Sequence, residues 1–260
     1  MIKVTIWNEF VQEQLREDTL EKFGFQGMSE DEKKRNFART EEIKKVHPNG
    51  IHQTLKELIE EDEEFKVCHI ATLEMEECGL TEEVLDDTDV LVWWSHIAQD
   101  KVPDEIARRV QEYVLRGMGI IFLHSAHMSK PMHFLLGTSG TLKWREGDFC
   151  RVWTTQPSHP IAKGIPESIE LEEEEMYGEF FDIPTPESQV FLSWYSGGEV
   201  FRSGCTWTRG YGRVFYFQPG HETNRSYFNQ SIRQIIRNGV RWTAGNQIKR
   251  KKLECIHAEK

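Results

Sequence analysis

The chain lacks most of the features that mark secreted, membrane-bound or nucleotide-binding proteins. Its five cysteines, Cys68, Cys78, Cys150, Cys205 and Cys255, form no CxxC pair. An odd, scattered set argues against both a disulfide framework and a zinc ribbon, and fits reduced thiols in a cytoplasmic protein. No apolar run approaches the roughly 20 residues that cross a bilayer, and Met1 leads directly into Ile2-Lys3-Val4-Thr5-Ile6, which reads as a strand. Neither secretion nor a membrane partner is expected. Basic residues are outnumbered, with 32 Lys and Arg against 43 Asp and Glu and a formal net charge of −11. Such a charge repels phosphate backbones at long range, so nucleic acid is not an expected partner. Neither G-x-G-x-x-G after the first strand nor G-x-x-x-x-G-K-[ST] occurs, and no nucleotide cofactor is expected. HExxH, internal repeats and low-complexity segments are missing too.

What is present is an alternation of short apolar runs and helical patterns. Lys3 to Trp7, Phe65 to Ile70, Asp89 to Trp94 and Gly119 to Leu123 read as buried parallel strands. Further strands are expected at Cys150 to Thr155, Val190 to Ser193 and Arg213 to Phe217. Ile51, Leu55, Leu58 and Ile59 recur at helical spacing, which predicts an amphipathic helix over 51–61. Pro103 at a first helical position, Asp104 and Glu105 in the first turn and Gly117 beyond the end predict another over 103–116. Phe228, Ile232, Ile236 and Val240 mark a last one. The strand, helix and strand between Asp89 and Leu123 make a βαβ unit, so the fold class is α/β with a doubly wound, mostly parallel sheet. Residues 1–245 read as a single domain. An insertion at about 10–49 carries a capping box, Ser29-Glu30-Asp31-Glu32, before a charged helix near the site. Residues 246–260 form a polar basic tail whose Lys249-Arg250-Lys251-Lys252 run reads as a solvated end.

Open parallel sheets bind ligands outside the carboxyl ends of their strands. Those places hold Asn8-Glu9, Ser95-His96, His124-Ser125-Ala126-His127 and Pro219-Gly220-His221-Glu222. Any one histidine is explained by an ordinary hydrogen bond or by exposure; imidazoles and carboxylates at four strand ends together supply the groups for acid/base or metal chemistry. Glu9, His52, His96 and His221 are the candidate donors for a divalent metal such as zinc, which needs at least three aimed ligands. Ser125 sits at a strand-to-turn bend, as a nucleophile would. Leu123 and His127 stand where G-x-S-x-G has glycines, which favours ligand positioning over nucleophilic attack. The acidic run Glu172 to Glu175 is expected to be mainly a solvated face, with Glu175 and Tyr177 as its members in the cleft. Trp94 is the candidate for stacking on a sugar, and Arg202 and Arg209 are candidates for orienting an anionic or hydroxyl-rich ligand.

Together, Val4-Thr5-Ile6-Trp7-Asn8-Glu9, Asn49-Gly50-Ile51-His52, Trp93-Trp94-Ser95-His96, Leu123-His124-Ser125-Ala126-His127, Glu174-Glu175-Met176-Tyr177-Gly178-Glu179 and Phe217-Gln218-Pro219-Gly220-His221-Glu222 resemble the ThuA-like trehalose-utilisation proteins over about residues 3 to 244. The resemblance implies a class I glutamine amidotransferase-like, flavodoxin-like fold. It also implies carbohydrate metabolism, acting on trehalose-derived keto-disaccharides or related glucosides as a hydrolase, lyase or isomerase. Amidotransfer is not implied, because the elbow has Ser125 rather than cysteine and the later pair is an adjacent His221-Glu222. On this basis His96, Glu175 and His221 are the proton-transfer groups or ligands, with Glu9, His52 and His127 completing a polar wall. Trp94, Ser125, Lys130, Tyr177 and Arg202 are expected to hold a small-molecule sugar. A non-catalytic sugar-binding or regulatory protein is the alternative, and a homo-oligomer is left open.

Overall fold

The near-continuous apolar runs become strands buried on both faces, as helices packed on each side of a sheet require. The computed structural model describes residues 1–245, 249–255 and 257–258. In chain order the elements begin with β1 (Ile2–Asn8), α1 (Leu20–Phe23), α2 (Glu30–Val46), α3 (Ile51–Ile59), β2 (Phe65–Thr72), α4 (Glu82–Asp86), β3 (Val90–Trp94), α5 (Asp104–Arg116) and β4 (Gly119–Leu123). They continue with α6 (Lys130–Leu136), β5 (Lys143–Thr154), β6 (Ser168–Gly178), β7 (Ser188–Tyr195), β8 (Val200–Arg209), β9 (Gly212–Phe217) and α7 (Gln230–Thr243). All the strands join one sheet in the order β2-β1-β3-β4-β9-β8-β7-β5-β6. The first five positions pair in parallel and have the flavodoxin-like order of a doubly wound sheet. The remaining strands extend it as an antiparallel wing, so the sheet is more mixed than the sequence suggests.

The helices start where the sequence announces them. Ser29 and Glu32 cap each other's backbone at the head of α2, Pro103 stands just before α5 rather than at its first residue, and Asn229 caps α7. Helix α3 buries Ile51, Leu55, Leu58 and Ile59, while α7 buries Ile232, Ile236 and Val240, with Phe228 in a turn before it. A Trp7–Trp93 stack, ring centroids 3.9 Å apart, joins β1 to β3. The 10–49 segment has its own small apolar cluster around Val11, Leu15, Leu20 and Phe23. No helix among the described residues is long and apolar enough to cross a membrane.

Two expectations need correcting here. Glu172 and Glu173 are exposed, but Glu174 and Glu175 are buried within β6, so half of the acidic run is interior. Within the tail, Lys249 pairs with Asp89 at 2.9 Å and the Arg250 backbone amide donates to the Arg116 carbonyl at 2.8 Å. That stretch is therefore held against the fold; residues 246–248, 256 and 259–260 of the tail lie outside the described residues.

Candidate functional site

Three adjacent parallel strands, β3, β4 and β9, lead into His96, His124 and His221, while β6 brings Glu175 in from the wing. One donor atom from each of these four side chains lies within 4.8 Å of all the others. His124 Nε2 and Glu175 Oε2, both buried, face each other at 3.2 Å and have no further hydrogen-bond partner among the described residues. A buried imidazole and carboxylate that converge with two more histidines form a donor set able to hold a cation.

The histidines are aimed by their other ring nitrogens. His124 Nδ1 donates to the Gln218 carbonyl (3.2 Å), and His96 Nδ1 reaches Gln12 Oε1 (2.8 Å) and Glu222 Oε1 (3.3 Å). His221 Nδ1 pairs with Thr223 Oγ1 at 2.9 Å. A hydrogen bond at Nδ1 fixes ring orientation as in metal-binding histidines, although His221 Nδ1 also accepts from the Thr223 amide (3.3 Å) and its Nε2 faces Arg39 (3.2 Å). Two ligands on one tetrahedral zinc with bonds of 2.0–2.1 Å lie about 3.3 Å apart, which the His124–Glu175 spacing of 3.2 Å matches. The donor set of His96, His124, Glu175 and His221 fits a borderline divalent ion such as zinc.

Backbone and buried carboxylates hold these side chains. His124 has φ 53, a left-handed conformation uncommon outside glycine. The bend of the elbow therefore falls on His124, one residue before Ser125, and the side chain at the bend is a buried imidazole. Glu174 accepts from the amides of Gly220 (2.9 Å) and His221 (3.1 Å) and from Ser226, fixing the loop after β9. Gly220 has φ 139, and a Cβ there would meet the Tyr227 hydroxyl at 2.2 Å. Glu9 accepts from the amides of Ile97 (2.7 Å) and Ala98 (3.1 Å), fixing the loop that carries His96.

Charge balance in this buried space sets the protonation states. Burial opposes charge on His96, but Glu222, Glu175 and Glu9 outweigh it and push its pKa up to about 9. Burial lowers His221 to about 4 against the pull of Glu222. Burial alone would raise Glu175, but His124, His96 and His221 hold it at about 2. Glu222, fully buried, also faces Arg39 of α2 at 3.5 Å, and Arg39 Nη1 lies 3.2 Å from His221 Nε2. Nothing in the sequence singled out Arg39.

Above this floor opens a cavity of about 870 Å³ whose walls include Gln12, Arg35, Gln99, Ser125, His127, Trp144 and Tyr177. His127 Nδ1 donates to the Gly140 carbonyl at 2.7 Å, and burial depresses its pKa to about 3, so the ring is neutral. Burial, reinforced by Glu175, raises the Tyr177 hydroxyl well above its ordinary value and keeps it protonated. Ser125 lines the cavity with Tyr177 beside it, and its carbonyl accepts from Gln99 at 2.9 Å. Among the described residues no imidazole hydrogen-bonds its hydroxyl, so the nucleophile arrangement is not assembled.

Several expected site residues stand elsewhere. Glu9 spends both carboxylate oxygens on backbone amides, and His52 pairs with Asn8 at 3.2 Å and packs on Phe10, so neither joins the donor cluster. Trp94 is fully buried beneath the floor with Nε1 on the Gly220 carbonyl (3.3 Å), which rules out sugar stacking. Lys130 donates to the Val102 carbonyl (2.7 Å) and faces Asp104 (2.8 Å). Arg202 is clamped on Glu179 (2.8 Å) and Arg209 on the Leu135 carbonyl (2.8 Å). The fourth donor, His124, was visible in its strand-end motif but was not assigned as a ligand.

A doubly wound sheet with this strand order, an antiparallel wing and a strained elbow after β4 defines a class I glutamine amidotransferase-like fold, here with histidine at the elbow. The chain belongs to the ThuA family, described as trehalose utilisation, whose model matches residues 3–243. It is similar to the solved structure of a ThuA-like protein from Parabacteroides merdae, at 16% identity and a TM-score of 0.64, covering 96% of this chain and 92% of that one. A ThuA-like protein from Bacteroides uniformis is similar at 17% identity and a TM-score of 0.53, covering 93% and 91%. A protein described as cytoplasmic from Salmonella typhimurium LT2 is similar at 14% identity and a TM-score of 0.53, covering 76% and 87%. At these identities the likeness is one of fold. No curated protein matches the chain significantly.

Proposed function

We propose that the chain is a cytoplasmic enzyme that processes trehalose-derived keto-disaccharides or related glucosides, with a divalent cation held by His96, His124, Glu175 and His221. The observation that carries this is the convergence of His96, His124, Glu175 and His221, one donor atom of each within 4.8 Å of the others, on the floor of an open polar cavity. Family membership supports the sugar class. A bound cation supplies Lewis-acid polarisation of a carbonyl or hydroxyl oxygen.

The remaining chemistry belongs to the chain. His127 donates its Nδ1–H to the Gly140 carbonyl and stays neutral, so its Nε2 accepts a hydrogen bond that orients a substrate hydroxyl. Tyr177, kept protonated by burial, donates to an oxygen on which negative charge builds up. Ser125, Gln12 and Gln99 offer hydrogen bonds that orient hydroxyls in the same cavity. His96, Glu175 and His221 act as ligands, with Glu222, Gln12 and Thr223 holding the histidine rings in place.

The test is mass-spectrometric turnover of trehalose, its keto derivatives and related glucosides by the full chain, with chelator and after zinc is restored. Turnover that stops with chelator, returns with zinc and is abolished in His124→Ala is expected. Chelator-insensitive turnover would remove the cation from the account; sugar binding without turnover would make the chain a sugar-binding protein.

A further inference from the structure

Trp144 is 63% exposed and yet forms part of the cavity wall. Every other tryptophan of the chain is buried or half-buried. A large exposed indole at the edge of a polar cavity offers a flat apolar face to a ligand in that cavity.

Register places it relative to the donor cluster. Trp144 of β5 pairs directly with Tyr177 of β6, and directly opposed residues on antiparallel strands share a face. Glu175, two residues earlier on β6, shares that face with Tyr177. Trp144 is thus about 7 Å along the strand and about 5 Å across it from Glu175 at the Cα level. Tyr177 stands between, its ring stacked 5.5 Å from that of His124. Away from the floor of histidines and carboxylate, the lining combines Trp144 and Met128 with the amides of Gln12 and Asn36 and with charged Arg35 and Glu146. A flat apolar face in a wall of hydrogen-bonding amides and charged side chains suits a pyranose ring, which presents C–H bonds on its faces and hydroxyls around its edge. The cavity, at about 870 Å³, is larger than one such ring fills.

We propose that Trp144 is the platform for the second, non-reacting pyranose of a two-ring substrate, while the reacting ring sits over the histidine floor. The assignment rests on the sugar-processing function proposed above and narrows it to substrates with two rings. It also supplies the stacking residue that Trp94, being buried, does not.

Calorimetric titration of the zinc-supplemented full chain tests it, using trehalose and keto-trehalose against methyl α-glucoside and its keto derivative. Trp144→Ala is expected to weaken two-ring sugars by roughly three- to tenfold while leaving the one-ring sugars within about twofold. Trp144→Phe should retain most of the two-ring affinity. Tyr211→Ala, at an exposed aromatic in the β8–β9 turn, should change neither. If the unmodified chain binds two-ring sugars and Trp144→Ala binds them equally well, or loses both classes equally, the platform is wrong and the sugar function stands. If the unmodified chain binds none of the four sugars, both fall.

Discussion

At the scale of single residues, the fold puts an imidazole where the amidotransferase-like architecture presents its elbow residue. His124 takes a strained backbone conformation there, and its Nε2 faces Glu175 Oε2 at 3.2 Å. On the proposed reading, a histidine in that place turns a nucleophile position into a ligand position. Two other buried histidines make the molecule acid-sensitive. Burial depresses His47 to about 4 and His127 to about 3, below the value of roughly 6.5 expected for the unfolded chain. The native state thus resists protons that the unfolded state accepts. Stability should be fully present above about pH 6.5 and fall as the pH drops, by about 1.4 kcal/mol per pH unit for each such group. The His47 ring hydrogen-bonds Thr54 (2.9 Å) and is not a member of the donor cluster, although Glu222 beside that cluster partly offsets its burial. Denaturant melts from pH 7.5 to 4.5 should therefore show a shallower acid slope in His47→Gln, by one proton; an unchanged slope would contradict the assignment. Side-chain roles were the least legible part of the sequence. The run Trp93-Trp94 told of a buried strand but not that both rings are interior, and Trp144 lies in no periodic pattern that would mark it. Exposure depends on what packs opposite, which is a tertiary property.

At the scale of elements, strands and helices with strong periodicity were legible because one or both faces are buried. Residues 51–59, 104–116 and 230–243 form the expected helices. Strand β6 was missed because its glutamates suggest solvent, although Glu174 serves as an internal acceptor for the loop after β9 and Glu175 as a cluster donor. Helix α2 was legible from its cap, but not that it delivers Arg39 to the site. Arg39 Nη1 lies against His221 Nε2 (3.2 Å), and Nη2 is anchored on Glu146 (2.7 Å). Its positive charge competes with a cation for the same nitrogen and the same carboxylate surroundings. Arg39→Ala should therefore bind zinc more tightly, by at least roughly tenfold, when measured by competition with a chromogenic chelator. Weaker binding would mean that Arg39 organises the site rather than guarding it.

For the whole molecule, the site exists only because the sheet brings distant segments together. His96, His124 and His221 follow three neighbouring strands, and Glu175 comes from the wing that the same sheet extends. The convergence at strand ends was readable from the βαβ pattern; which of the ten histidines complete the cluster depended on strand order and loop geometry. A formal charge of −11 favours cations at long range and adds to the local field of Glu175 and Glu222. The most direct measurement is elemental analysis of the full chain purified without chelator, alongside His124→Ala prepared identically. About one divalent ion per chain in the native protein, lost in His124→Ala while the fold survives, is the expected result. A native protein that contains no divalent ion and takes up none when zinc is added would contradict the account at its centre.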